Sequence, residues 1–218
     1  MIVNEEIMKY IGVHLPERSE LMQRMEQEAL AEHIPIIQPS SAQLLYMLVR
    51  MQKPRTIFEI GTAIGYSTLW LTKAAPEATI YSIDINGEWQ ARAHQALTEA
   101  GVREHVTLFN EDATLDPFSQ WQTPPSFDFI FMDAAKGQYI RFMELYLPYL
   151  VTDGVILTDN VLHHGLVTET HFYNRRKRQL VERIQKFNDY LANHPILESS
   201  WIPIGDGMVL SMRRRSTK

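Results

Sequence analysis

The 218-residue chain contains no cysteine. That excludes a disulfide framework, a thiolate zinc site and a cysteine nucleophile. No apolar run is long enough to span a membrane, and the opening residues show no basic stretch followed by an apolar one. We therefore expect a cytoplasmic protein with no signal peptide and no membrane partner. Internal repeats, low-complexity segments and a recognisable linker are also missing, so one domain over 1–218 is expected. No Gly-x-Gly-x-x-Gly fingerprint and no Walker lysine motif occur, which argues against a dinucleotide site and a phosphate cradle. Positive charge is scarce in most of the chain. Net charge is −5, but residues 161–218 carry +5 and the rest −10. An acidic body with a basic last quarter points toward a polyanionic partner. Apolar residues at 45% and charged residues at 22% are ordinary for a globular protein of a size that closes one α/β core.

What the chain does have is a strong opening unit at 55–71, RTIFEIGTAIGYSTLWL. Thr56 to Ile60 reads as a short buried strand closed by glycine. Gly61 to Gly65 is a turn of small residues, and Ser67 to Lys73 has helix-compatible spacing. Strand, glycine turn and helix open nucleotide-binding α/β folds. The small residues fall at every second position (Gly61, Ala63, Gly65), with a carboxylate at Glu59. That pattern resembles the first motif of class I S-adenosylmethionine (SAM) methyltransferases, with alanine in place of the middle glycine. A carboxylate near the turn suits the ammonium of the methionyl end.

The remaining elements alternate. Residues 1–52 read as helical, punctuated by Pro16 and Pro35, with Ser40-Ser41 as the expected cap of a helix running to Gln52. Strands are expected at 79–83, 106–109, 127–132 and 155–158, and helices at 88–100, 138–150 and 171–193. Residues 201–204 and 208–212 read as a closing hairpin about Gly205-Asp206-Gly207. The expected fold is therefore α/β and Rossmann-like: a seven-stranded, mostly parallel sheet with a C-terminal antiparallel hairpin and added N-terminal helices.

In such sheets ligands bind beyond the C-terminal strand ends. Those ends carry Glu59, Asp84, Asp112, Asp133 and Asp159-Asn160. Asp84 is spaced to hydrogen-bond both ribose hydroxyls, or to cap the following helix; both roles are compatible. Asp112, beside Ala113, is placed to meet an adenine edge. Two Asp and one Asn, all oxygen donors, suit a hard divalent ion such as Mg2+, so Asp133, Asp159 and Asn160 are the expected metal ligands. Lys136 follows Asp133 by three residues and is the candidate general base. Arg175, Arg176, Lys177 and Arg178 open an amphipathic helix and are candidate RNA-phosphate contacts.

Three stretches in this order and spacing, EIGTAIGYS, FMDAAKGQY and LTDNVLHHGLV, resemble the metal-dependent O-methyltransferases that include catechol and caffeoyl-CoA O-methyltransferases. The resemblance implies Glu59, Gly61, Ser67, Asp84, Asp112, Ala113 and Asp133 around SAM, Asp133, Asp159 and Asn160 on Mg2+, and Lys136 as base. Ala135 and Gly137 depart from the plant caffeoyl-CoA pattern. EHIPII at 32–37, RRKRQLVERIQKFNDYL at 175–191, NHP at 193–195 and IPIGDG at 202–207 resemble the bacterial tRNA 5-hydroxyuridine methyltransferases. That likeness runs from about Glu32 to Arg213. It implies methylation of 5-hydroxyuridine at the wobble position of the tRNA anticodon, a segment around Ile37 lying over SAM, and a homodimer. Other readings are a catechol-like acceptor, a nicotinamide-dependent dehydrogenase, which lacks its glycine fingerprint, and a non-catalytic RNA-binding module, which leaves the acids and Lys136 without a purpose.

Overall fold

The computed structural model describes residues 4–169 and 174–214. Three helices precede the sheet: α1 (Glu5–Val13), α2 (Glu20–Glu32) and α3 (Pro39–Gln52). The core alternates β1 (Thr56–Ile60), α4 (Tyr66–Ala74), β2 (Thr79–Ile83), α5 (Gly87–Glu99), β3 (Val106–Phe109), β4 (Phe127–Met132), α6 (Tyr139–Tyr146) and β5 (Leu150–Thr158). It closes with α7 (Arg175–Ala192), β6 (Leu197–Ile202) and β7 (Met208–Arg213). The seven strands form one sheet in the order β3-β2-β1-β4-β5-β7-β6. The first five run parallel, and β7 lies antiparallel between β5 and β6. The expected fold class is observed.

Alternation along the strands builds two cores. Ile57, Phe129, Phe131 and Leu157 face α2 to α5, where Met25, Leu45, Leu71 and Leu97 are buried. Phe58, Ile60, Ile130, Met132 and Ile156 face α6 and α7, where Phe142, Tyr146, Phe187 and Leu191 are buried. A sheet covered on both faces explains why these strands are nearly continuous apolar runs.

Four boundaries differ from the sequence reading. Ser40 and Ser41 are buried inside α3, which starts at Pro39 after Gln38 and has no side-chain cap bond; proline at the first turn replaces the expected cap. The helix after β4 ends at Tyr146 and continues as a 3-10 turn at Leu147–Tyr149 containing Pro148. The strand after it begins at Leu150, with Gly154 inside it, because Phe127 pairs with Leu150 across a bulge. The first hairpin strand is Leu197–Ile202, and Pro203 to Gly207 forms the turn, since Pro203 has no N–H for the ladder. The helix expected from 171 is described from its cap, Asn174; 171–173 lie outside the described residues. Among the described residues, no helix is long and apolar enough to cross a membrane.

Candidate active site

Between β1 and β4 the strand order reverses direction, and there the C-terminal strand ends splay into a crevice. A cavity of about 530 Å3 opens at this point. Its wall carries Gly61, Ala63, Asp84, Asp112, Ala113, Asp133 and Lys136, all expected from the sequence to stand at the site. A cleft of about 20 Å3 adjoins it, walled by Ile37, Tyr66 and Ser67, and by Gly61 and Asp133, which belong to both spaces.

The turn after β1 is built for close approach. Gly61 has φ +103, and a Cβ there would stand 2.0 Å from the Asp133 carbonyl oxygen. Only glycine meets both demands. Ala63, where the motif usually has glycine, also sits at positive φ, 44°. Its N–H donates to Asp84 Oδ2 at 2.8 Å, so the turn is tied to the end of β2. Asp84 Oδ1 accepts the Asn86 N–H at 2.9 Å. The helix cap is Asn86, which takes the N–H groups of Glu88 and Trp89. Asp84 therefore braces the turn and keeps lone pairs toward the cavity. Asp112 is oriented by the Thr114 N–H at 2.8 Å.

Glu59 is placed differently from the expectation. It is fully buried beneath the turn and belongs to neither wall. Its Oε2 accepts from Thr68 Oγ1 and Ser82 Oγ, both at 2.5 Å, while Oε1 has no partner. Alternation along β1 points Glu59 to the α4 side, away from the crevice. Burial pushes its pKa up to about 7, against the opposing pull of the Ser67, Ser82 and Thr68 hydroxyls. Glu59 supports the cradle from below: Ser82 Oγ lies 2.6 Å from Thr62 Oγ1, which accepts from Gln90 Nε2 at 3.0 Å.

At the other side of the crevice, β4 and β5 pair in register, and the Asp159 N–H donates to the Met132 carbonyl at 3.0 Å. Asp133 and Asp159 thus leave neighbouring strands side by side. Asp159 is 2% exposed. Burial raises the pKa of both carboxyls; Asp133 raises that of Asp159 further, Asp206 adds to each, and the Lys136 charge opposes. Two neighbouring acids that disfavour each other's charge fit a hard cation between them. Asn160 follows Asp159 at φ 61, and its amide Nδ2 meets Asp206 Oδ2 at 3.5 Å. No group of three His, Cys, Asp or Glu side chains converges among the described residues. Lys136 stands on the cavity wall in the 3-10 turn Lys136–Gln138.

Arg175, Arg176, Lys177 and Arg178 are exposed on α7. Val181, Ile184, Phe187 and Leu191 form its buried stripe. Asn188 Nδ2 donates to the Val161 carbonyl and Gln185 Nε2 to the Val167 carbonyl, each at 2.8 Å, so α7 holds the segment that follows Asp159-Asn160.

The sequence model of a family described as O-methyltransferase matches residues 14–214. The chain belongs to this O-methyltransferase family. Among its O-methyltransferase relatives, caffeoyl-CoA O-methyltransferase 2 of Populus trichocarpa is 32% identical over 208 residues, 91% of this chain and 83% of that one. A candidate caffeoyl-CoA O-methyltransferase from Staphylococcus aureus has the same fold, with a TM-score of 0.88, 29% identity and coverage of 97% and 100% of the two chains. The O-methyltransferase TomG of Streptomyces achromogenes, solved in complex with SAM, superposes with a TM-score of 0.83 at 25% identity, covering 96% of each chain.

Sequence reasoning missed part of this O-methyltransferase wall. Pro35, Ile85, Trp89, Thr114, Gln138 and Phe142 also line the cavity. Ile85 directly follows Asp84, and its 72% exposure at a strand end is a ligand signal that its apolar character concealed. Phe142 is buried in the core under α6 and also reaches the wall.

Proposed function

We propose that the protein transfers a methyl group from SAM to an oxygen of an acceptor that presents two adjacent oxygens, with a divalent cation such as Mg2+ held by Asp133, Asp159 and Asn160. The observation that carries this reading is the pairing of two neighbouring, mutually repelling carboxylates, Asp159 buried and Asp133 half-buried, with Lys136 beside the 530 Å3 cavity. A cavity of that size with mixed apolar and acidic walls suits a small cofactor. Asp84 would receive the ribose hydroxyls, Asp112 and Ala113 the adenine edge, and Ile37 and Ser67 the methionyl end. When bound, SAM supplies the electrophilic methyl and the cation makes the acceptor hydroxyl more acidic. Lys136, acting as the neutral amine, takes the hydroxyl proton at Nζ and becomes the ammonium, and Asp133 aligns acceptor and donor by standing on both spaces. In-line transfer then depends on proximity and alignment.

Family membership and the caffeoyl-CoA-type relatives favour a catechol-like phenol as acceptor. A second reading, wobble 5-hydroxyuridine in a tRNA anticodon, rests on the exposed Arg175–Arg178 run, on a helix bonded to the segment after Asn160. That base offers the same arrangement, a C5 hydroxyl beside the C4 carbonyl. We further read the protein as a homodimer through its N-terminal helices, where Ile7, Tyr10, Val13, Leu30, Met47 and Met51 are exposed.

The test is methyl transfer from labelled SAM to a panel of catechols and to tRNA lacking the modification, with and without EDTA. Turnover that EDTA abolishes and Mg2+ restores is expected; Asp159→Ala should be inactive. Full activity in chelator, or in Asp159→Ala, removes the cation from the reaction. Methylation of the tRNA alone selects the second reading.

A further inference from the structure

The turn between β6 and β7 lies far from the cofactor cavity in sequence, yet it holds the segment that carries Asn160. The Asp206 carbonyl accepts the N–H groups of both Leu162 and His163 at 3.0 Å, and the Gly207 carbonyl accepts that of Val161 at 2.9 Å. Asp206 Oδ1 meets His164 Nδ1 at 2.6 Å. Asp206 Oδ2 meets Asn160 Nδ2 at 3.5 Å, the long end of hydrogen-bond reach. The segment it grips is strained: Asn160, His163 and His164 all have positive φ, at 61°, 42° and 56°. Side chains with a Cβ stay in that region only where the surroundings over-determine them. Gly207 is bound to this arrangement as well, since a Cβ there would meet Leu162 Cγ at 2.4 Å.

We propose that Asp206 is a positioning residue for the cation site. Its carboxylate takes the NH2 end of the Asn160 amide, which turns the amide oxygen toward Asp133 and Asp159, and its backbone carbonyl locks the strained segment behind it. An amide can ligate a cation only through oxygen, so its nitrogen needs an acceptor elsewhere; Asp206 is the acceptor the structure supplies. Partners of this kind set ligand orientation, and their loss lowers metal affinity by about 10- to 100-fold. The inference rests on the metal-assisted reading of the site.

The experiment measures Mn2+ affinity from the electron paramagnetic resonance signal of free Mn2+, with SAM affinity by calorimetry alongside. Asp206→Ala should weaken Mn2+ at least about tenfold, and SAM binding should persist because Asp206 lines neither space. Asp206→Asn keeps the shape and guards against a folding defect in the alanine variant. It should weaken Mn2+ in the wild-type background and strengthen it in Asn160→Asp, where it removes a facing like charge and restores a donor–acceptor pair. That reversal of sign separates contact with position 160 from a general loss of negative charge, which weakens cation binding in both backgrounds. Unchanged Mn2+ affinity in both Asp206 variants, or weakening in both backgrounds, overturns the role of Asp206 and leaves the cation reading intact. A wild-type protein that binds no Mn2+ overturns the cation reading, and this inference with it.

Discussion

Glu59 and Asp84 are carboxylates at two neighbouring strand ends, and their surroundings set them apart. Glu59 is sealed under the turn, so its charged form is penalised and its pKa is about 7 rather than 4.5. The folded chain then holds a proton between those values that the unfolded chain has lost. Stability from this group is present below pH 4.5, falls as pH rises toward 7, and is lost above it. The shift corresponds to a cost on the order of 3 kcal/mol at alkaline pH. Glu59→Gln keeps an oxygen acceptor for Thr68 and Ser82 and cannot ionise. Melting curves from pH 5 to 8 should show the variant flatter than wild type, and at pH 8 higher in Tm by at least roughly 4 °C. Parallel curves would place the ionisation of Glu59 outside this range. Asp84, half-buried on the cavity wall, is free to act on ligand. If Asp84 holds the ribose as proposed, Asp84→Ala removes two charge-assisted hydrogen bonds to it, each worth about 1.5–3 kcal/mol. SAM affinity by calorimetry should fall at least about tenfold, and equal affinity would take Asp84 out of the cofactor site.

Helix α7 has two characters along one length. Its buried stripe and the Asn188 and Gln185 side-chain bonds anchor it to the body. Its first turn projects four cations, of which Arg178 pairs with Glu182 at 3.3 Å, an exposed pair of little energetic weight. If a tRNA is the acceptor, replacing Arg175 and Arg176 with Ala should raise its KM. The salt dependence of binding should also flatten, by about 0.7 in log–log slope for each single-strand phosphate that is no longer neutralised. SAM affinity should stay as in wild type, since neither arginine lines the cavity. Normal tRNA binding at both low and high salt would show that these cations only solvate the helix. The amphipathic stripe was legible in the sequence because helical periodicity is local. The bonds from α7 to Val161 and Val167 were not, since they join segments more than fifteen residues apart.

At the scale of the whole molecule, the N-terminal helices leave large apolar side chains exposed, and the proposed dimer would cover them. Sedimentation equilibrium at micromolar concentration should give about twice the 25.3 kDa chain mass. Val13→Glu with Leu30→Glu should shift it to a single chain mass while leaving the fold intact. A monomeric wild type would end the dimer reading.

The alternation of apolar strands and amphipathic helices, the glycine turn and the acid at each strand end could be read from residue order alone. All are consequences of local periodicity and of backbone freedom at single positions, above all Gly61, where no other residue fits. Which acid does what was settled by packing. Glu59 lies inside β1 and Asp84 just past the end of β2, so position along the strand, not the shared carboxylate chemistry, puts one under the turn and leaves the other on the wall. Ser40 and Ser41 have the chemistry of caps, yet the chain folds them into a helix interior because Pro39 starts the helix before them. Asp206 lies 46 residues beyond Asn160, and nothing in their spacing links them. Only the antiparallel return of β7 against β5 brings the turn to that segment, because hydrogen-bonded register, unlike side-chain character, depends on residues distant in the chain.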